Sequence, residues 1–486
     1  MSSSGSTVEL SREDIAAEDQ WLRSLGLTPP AGHLLLERPF AEPLGRRSYL
    51  VPARWHWDES PATVIPRHFV ADLDILETAM RKSYVGWETA QSRGWNWPAF
   101  FEDWRRQLSR AGDRVTTTEA FEPWKKLLDY QLDNHSGPVG FDRFRRLSWT
   151  ACLTTRPAGP IVEPIAHEPR RAWLAGPAGL QPCWALSGPW RGNPFQSVRD
   201  SGGNLLQAHP AASDPAARRE SIRALSGNNA ENLCYRRLAG DIAYVRVPPD
   251  LSYSIAPDLP ETHRNGSIIF DLRWNRGGAA QMVLPFIERL VGQLDVPYGL
   301  RRKESCLSRA FAWGHAQLRL KDIAGPLSGG ALQIARDALA RVTNPASGDC
   351  GVRWHERAAQ WCWRDRHPPS EAGPRIIVLV DQDCGSDGEL LVFQLGSLPH
   401  SVIVGPNTAG VAGFAQPGYF VLPRTRIRFR LAMALTDLYG DGRAVDGYGL
   451  ESDVLLPSDL FLDVKATTEL ARQIETGYTR EPCSQL

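Results

Sequence analysis

IIVLVDQDCGSDGE, residues 376–389, is the stretch from which the rest of this 486-residue chain is read. Ile376 to Val380 is an unbroken run of β-branched and aliphatic residues, the pattern of a strand buried on both faces. A tight polar turn follows from Asp381 to Asp387, in which Gly385 and Gly388 are free to take positive φ. Glu389-Leu-Leu-Val-Phe-Gln-Leu then predicts a helix whose acidic first turn suits the helix dipole. Strand, sharp turn and helix together lift Ser386 to the end of a sheet, beside the amides of a helix N-terminus. A negative oxygen developing there would meet N–H donors. The same residues also spell S-x-x-E, a capping box in which Ser386 would be no more than an N-cap. The stretch alone leaves nucleophile and cap both standing.

Composition narrows the field. Lys+Arg and Asp+Glu balance at 55 each, so no nucleic acid or anionic membrane is called for as a partner. No run approaches the roughly 20 apolar residues of a membrane helix. The opening residues MSSSGSTVELSREDIAAEDQ lack the basic and apolar regions of a signal peptide. The eight Cys contain no C-x-x-C pair. For a chain of this length the expectation is reduced thiols in the cytoplasm. The 17 Trp, several of them between Trp55 and Trp104, are expected in a core. No cofactor is expected.

Residues 1–30 read as a mostly disordered tail, with a short helix as the alternative for its second part. Residues 31–145 read as an N-terminal helical domain. Its segments ADLDILETAMRKSYVGWETA, WPAFFEDWRRQLSRA and TTEAFEPWKKLLDYQLD place apolar residues at three- and four-residue steps. The last helix stops at Asp133-Asn134-His135-Ser136-Gly137. Residues 146–238, rich in Pro and Gly, read as irregular. From 239 to 460 strands and helices alternate: DIAYVRVP, SIIFDLRWN, a helix after Gly277-Gly278, IIVLV, ELLVFQLGSL, SVIVG, then YFVLP and TRIRFRLAMAL. Such alternation implies an α/β core with a largely parallel sheet, interrupted by an insertion at about 300–372. Residues 461–486 are expected as a tail or helix.

These segments resemble the C-terminal-processing (tail-specific) serine peptidase family, in its tricorn-core branch. Gly240-Asp-Ile-Ala-Tyr-Val-Arg is similar to the family's first core strand, and Asp271-Leu-Arg-Trp-Asn-Arg-Gly-Gly to its D-L-R-x-N-x-G-G turn. Gly385-Ser-Asp-Gly-Glu resembles the tricorn-type nucleophile turn. Gly405-Pro-Asn-Thr-Ala-Gly fits the end of the next strand, and Asp446 to Asp453 the closing E-G-x-G-x-x-P-D. Asp133, His135 and Gly137 fit the D-x-H-[ST]-G segment that carries the histidine of triad members. The resemblance implies a crotonase/Clp-protease-like core of β/α repeats and cleavage of peptide amide bonds through an acyl-enzyme. The substrate would be a peptide or protein, and a homo-oligomer is compatible with it.

The chemistry needs a hydroxyl, a base, a group to orient the base and donors for an oxyanion. Ser386, His135 and Asp446 are the candidates for the first three, with the N–H groups of Gly278 and Asp387 as the oxyanion donors. Two positions depart from the family. Val411 stands where dyad members carry Lys, which excludes a Ser-Lys dyad on this pattern. Asp446 replaces Glu, so its contact to imidazole needs the backbone closer by roughly 1 Å. Asp133 competes with Asp446 for the orienting role. No PDZ domain is recognisable between 145 and 238. Two rival functions share the core: a catalytically silent binding module, as in retinoid-binding relatives of the family, and an amidase or acyltransferase. Cys350, His355, Cys362 and His367 lie close in sequence, but their spacing matches no zinc pattern, and a loosely packed insert is expected there.

Overall fold

The apolar run at 376 becomes the strand Arg375–Leu379. Ile376, Ile377, Val378 and Leu379 are each at most 2% exposed, so both faces of their sheet are covered. The computed structural model describes residues 12–27, 59–131, 133, 135–139, 148–153, 161–163, 170–176, 179–189, 198–200, 205–206, 208–210, 215–227, 231–248, 266–278, 283–292, 294, 298–320, 332, 335–337, 339–340, 352–358, 374–440, 442, 445–456 and 462–478. The chain forms two compact units. A sheet unit comprises Arg146–Gly299, Arg357–Gly413 and Thr436–Leu486. A helical unit comprises Met1–Arg145, Leu300–Glu356 and Phe414–Leu435.

In the sheet unit, Ile242–Arg246, Ser267–Asp271, Arg375–Leu379 and Ser401–Val404 lie side by side and parallel, with Ile269 opposite Ile377 and Ile377 opposite Val402. Alternate side chains divide between two cores. Val378 and Phe270 join Phe286 and Ile287 of helix Leu284–Val291 and Leu391 and Val392 of helix Asp387–Gly396. Ile377, Leu379 and Val402 pack with Leu470, Ala471 and Ile474 of helix Val464–Gly477. Because the strands are parallel, the turns that follow them, 272–278, 380–386 and 405–413, all leave at one end of the sheet, where open α/β sheets bind ligands.

The structure corrects the reading of residues 146–238 as irregular. Ser148–Leu153, Arg170–Gly176, Gly179–Pro189 and Ala208–Pro210 form an antiparallel extension of the same sheet, joined in parallel to the core through Val454–Leu455. The extension escapes sequence reading because its strands, RRAWLAG and GLQPCWALSGP, carry Gly, Pro and Arg rather than an alternating apolar pattern.

The helical unit holds Pro66–Ser83, Gly86–Ser92, Trp97–Ser109, Thr117–Ala120 and Glu122–Gln131. Local chemistry places the breaks. Asn96 caps Trp97–Ser109 by accepting the Ala99 N–H at 3.1 Å, and Thr116 with Glu119 forms a complete capping box. Phe69, Trp104, Phe121 and Trp124 build the aromatic centre with Phe429, whose ring meets Trp124 edge-on at 5.0 Å. Phe429 belongs to Arg428–Asp437, which pairs antiparallel with Phe414–Val421. These two strands are therefore not part of the parallel core: the short connection between them permits a hairpin but no crossover. The insertion expected at about 300–372 does interrupt the sheet unit over Leu300–Glu356, but it is not loosely packed there: Cys306–Leu320 supplies Leu307, Phe311 and Trp313 to the core of the helical unit. The short helix allowed in the second part of residues 1–30 is Arg12–Ser24, and Leu22, Leu25 and Leu27 are buried in the same core.

Among the described residues, no helix is long and apolar enough to cross a membrane. Trp55 and Trp57 lie outside the described residues.

Trp104 is fully buried and its indole N–H donates to the Ala120 carbonyl at 2.7 Å. Trp104→Ala removes a large core side chain and should destabilise the helical unit by about 3–5 kcal/mol. Urea denaturation followed by circular dichroism reads this as a fall in midpoint, and an unchanged midpoint contradicts the core assignment.

Candidate active site

Ser386 is the residue before helix Asp387–Gly396, and its backbone lies at φ 55°, ψ −124°. That is a costly conformation for a residue with a Cβ, by about 1–3 kcal/mol, and it persists only where the surroundings enforce it. Its side chain makes no capping hydrogen bond to the helix. The capping box anticipated by S-x-x-E is thus not made through the serine hydroxyl, and the Glu389 carboxylate is instead buried and accepts the Gly410 and Val411 N–H groups at 2.8 Å each. This geometry removes the N-cap as the reason for a serine here.

The glycine turn after Ser267–Asp271 presses against it. A Cβ on Gly277, at φ 96°, would lie 2.7 Å from the Ser386 Cβ and 2.9 Å from the Asp387 nitrogen. Only glycine fits that approach. Gly278 follows at φ 135°. The Gly277 N–H donates to the Asn275 side chain at 2.9 Å, which leaves the Gly278 amide as that turn's candidate for an oxyanion, as the sequence suggests. Asn275 braces the neighbourhood further: its carbonyl accepts the Gly385 N–H at 2.9 Å, and its amide donates to the Val247 carbonyl at 3.1 Å.

Below these turns lies a buried charged network. Asp381, 1% exposed, takes the Trp274 N–H on both oxygens at 2.9 Å and the Asp383 N–H at 3.0 Å. Arg218, on helix Pro215–Ser226, reaches Asp381 at 2.8 Å and Asp383 at 2.6 Å. Burial raises the Asp381 carboxyl above its usual range, against the pull of Arg218. Asp271 meets the Arg273 guanidinium as a two-pronged pair at 2.9 and 2.6 Å and accepts the Tyr244 hydroxyl at 2.8 Å. Burial pushes the Asp271 carboxyl up, but Arg273 and Arg246 outweigh it and hold it below the usual range. Cys384, two residues before Ser386, is fully buried, and burial together with Asp381 and Glu389 lifts its thiol far above the ordinary range. It stays a thiol.

Asp446 is 2% exposed. A Cβ on Gly413 would sit 1.7 Å from its Oδ2, so the carboxylate lies directly on that glycine. Val411, at the position where dyad members carry Lys, packs its side chain on Gly385 and donates its N–H to Glu389 at 2.8 Å. Ser386, Asp387, Gly278 and Asp446 thus belong to the sheet unit, and the segment 409–413 touches both the Gly385 and the Asp446 ends.

His135 belongs to the helical unit. Its N–H and that of Ser136 donate to one oxygen of Asp133, at 2.7 and 3.1 Å, and the Tyr84 hydroxyl donates to the other at 2.8 Å. Asp133 is 1% exposed, and burial raises its carboxyl above the usual range against these bonds. The next residues, Gly137–Pro138, pair with Arg430 and Phe429. His135 is therefore presented by a turn fixed at both ends, with Asp133 spent on the turn's backbone.

Of the four Cys and His residues between 350 and 367, Cys350, Cys362 and His367 lie outside the described residues. His355, on the strand Arg353–Arg357, has its Nε2 2.7 Å from Glu304. Among the described residues no group could hold a metal.

Sequence reasoning gave no role to Asn275, Asp381 and Arg218. Asn275 stood inside the D-L-R-x-N-x-G-G pattern and Asp381 at the head of the polar turn after Val380. Arg218 lies in the stretch read as irregular.

Gly277→Ala should displace Ser386 or the Asp387 amide, because the added methyl is less than 3 Å from both and the positive φ disfavours any side chain. Covalent labelling of Ser386 by a fluorophosphonate should fall by about 100-fold, as a misplacement near 1 Å would predict. Wild-type labelling would show that the turn does not define the site.

The model of peptidase family S41 matches residues 242–456. Several solved structures are similar. Mature CPAF has a TM-score of 0.41 and 14% identity, over 85% of this chain and 99% of that one. The photosystem II D1 C-terminal processing protease has a TM-score of 0.32 and 15% identity, over 84% and 97%. The tricorn protease has a TM-score of 0.35 and 14% identity, over 84% of this chain and 37% of that one. No curated protein matches the chain. The family match thus covers the parallel core of the sheet unit, from its first parallel strand to Val454–Leu455, and is a match to a serine-peptidase family over a little under half of the chain.

Proposed function

We propose that Ser386 is the nucleophile of a peptidase that cleaves peptide or protein substrates through an acyl-enzyme. The observation that carries the reading is the strained backbone of Ser386 at a helix N-terminus, with no capping role for its hydroxyl and with Gly277 packed against it. A serine needed only as a cap would adopt the ordinary extended conformation.

His135 is the base in this reading and Asp446 orients it. His135 takes the Ser386 proton as the hydroxyl attacks the scissile carbonyl, and returns it to the leaving amine. The Gly278 and Asp387 amides receive the oxyanion, in line with the positive end of helix Asp387–Gly396. Water, activated by the same imidazole, then opens the ester and frees Ser386. Support for His135 comes from its D-x-H-S-G context and from a turn that fixes its backbone. Support for Asp446 over Asp133 comes from Asp133 itself, whose oxygens are bonded to the His135 and Ser136 amides and to Tyr84. The place of action in this reading is the cytoplasm.

Ser386→Ala should abolish fluorophosphonate labelling with the circular dichroism unchanged, and a variant that still turns over peptide ends the nucleophile assignment. Asp446→Asn should lower kcat by about 10⁴, the loss recorded when the orienting acid of a serine protease triad is so changed. Asp133→Asn should chiefly lower thermal stability, because it weakens a buried acceptor of two amides. The reverse pattern, with the large kcat loss at Asp133, makes Asp133 the orienting acid.

A further inference from the structure

We propose that Asn407 is a positioning residue for Asp446, a buried amide through which the antiparallel extension holds the loop that carries the acid. The inference rests on the reading of Asp446 as the group that orients His135.

Asn407 lies in the turn after Ser401–Val404 and is 1% exposed. Its side chain has a donor end and an acceptor end, and both meet the loop 446–453. The amide NH₂ donates to the Tyr448 carbonyl at 3.2 Å, two residues from Asp446. The amide oxygen accepts the Ser452 N–H and an Arg170 guanidinium N–H, at 3.4 Å each. The Asn407 backbone N–H donates to the Thr150 hydroxyl at 2.8 Å. Thr150 and Arg170 belong to Ser148–Leu153 and Arg170–Gly176, two strands of the extension. Arg170 also stands 3.7 Å from the Glu451 carboxylate, and the Trp173 N–H donates to the Asp453 carbonyl at 3.0 Å. One buried side chain thus joins two strands of the extension to the acid's loop.

The loop is also tied to the segment 408–410. The Gly447 N–H donates to the Gly410 carbonyl at 2.8 Å and the Leu450 N–H to the Thr408 hydroxyl at 2.7 Å. Tyr448 lies between those two points, and its carbonyl is the one that Asn407 takes. Placement matters more for an aspartate than for the glutamate of the family pattern. Asp446 has one side-chain torsion fewer, so a drift of its backbone is not recovered by a change of rotamer. Asn407→Ala removes the donor and the acceptor together, and the buried Ser452 N–H and the Tyr448 carbonyl lose that partner. The apolar anchors of the loop, Val445 and Leu450, stay in their core. The loop then shifts without unfolding, and the carboxylate shifts with it.

The test uses the full chain and a fluorophosphonate, with the second-order rate of labelling measured across pH. Asn407→Ala should slow labelling by about 100-fold, the loss that a misplacement near 1 Å would bring. A general loss of structure slows labelling at every pH alike. Displacement of Asp446 does more. An anionic carboxylate beside an imidazole favours its protonated form, so the acid limb, where His135 takes a proton, should move to lower pH. Asp133 is unchanged in every variant. Thr150→Val removes the hydroxyl that accepts the Asn407 N–H and should move rate and limb in the same directions by less. Thr150→Ser should restore both. Should Asn407→Ala fail to fold, the Thr150 pair decides by the same two readouts. A wild-type rate overturns the inference, and so does a slower rate with the limb unmoved. Asp446→Asn separates the two failures. Wild-type labelling in that variant overturns the orienting role itself, and the inference with it. Slow labelling there, beside wild-type labelling in Asn407→Ala, overturns the inference alone.

Discussion

Two buried carboxylates at the ends of adjacent parallel strands hold the sheet unit's working end together. Asp271 closes Ser267–Asp271, and Asp381 follows Arg375–Leu379 by two residues. A parallel sheet leaves the turns beyond its strands without ladder partners, and buried backbone groups there must be satisfied otherwise. Asp381 does so for Trp274 and Asp383, one from each turn. Such charges are expensive to bury alone, costing several kcal/mol each after relaxation. Here Arg218 and Arg273 offset the cost, and Arg246 adds bonds to the Asp271 and Arg273 carbonyls at 2.9 and 2.8 Å. The specificity of this arrangement lies in its geometry: the Asp381 carboxylate joins the turn after Asp271 to the turn that carries Ser386.

That constraint explains what the sequence conveyed and what it withheld. The parallel core was legible because burial on both faces demands unbroken apolar runs, and IIVLV, SIIFD and SVIV have no other reading. Ser386 was legible as a turn serine, yet the choice between cap and nucleophile was not. S-x-x-E is compatible with both, and the backbone angle and the missing cap bond speak only against the cap. Glu389 was read as a dipole partner, since nothing local reveals that residues 408–411 come to meet it. The antiparallel extension was illegible for a related reason. Its strands draw stability from pairing with a sheet already formed, so their own sequence need not alternate.

The two hairpin strands at 414–437 mark another limit. Their composition is that of any strand, and the position in an alternating β/α order invites assignment to the parallel sheet. Chain connectivity decides otherwise. Leu422 donates its N–H to Ile427 at 2.8 Å across the hairpin, and a connection so short returns the chain antiparallel. The consequence reaches His135, because Gly137–Pro138 pairs with the second of these strands and the Ala432 N–H donates to Ser136 at 2.9 Å. The turn that presents the histidine is thus built on a strand nearly 300 residues later in the chain, and no local reading of D-x-H-S-G contains that information.

The strain at Ser386 is best understood as a balance. A left-handed serine costs about 1–3 kcal/mol, and a single net hydrogen bond contributes about 0.5–1.5 kcal/mol, so no one bond enforces it. The Glu389 amide bond to the Ser386 carbonyl, the Gly385 amide bond to Asn275 and the Gly388 amide bond to Gly385 together reach that scale. Each fixes backbone within three residues of the hydroxyl and none uses the hydroxyl itself. Close packing completes the balance: the Gly277 backbone lies so near Ser386 that a Cβ there would be 2.7 Å from the Ser386 Cβ. These restraints act on the main chain of the turn, and the helix that follows Ser386 begins without a cap from its side chain.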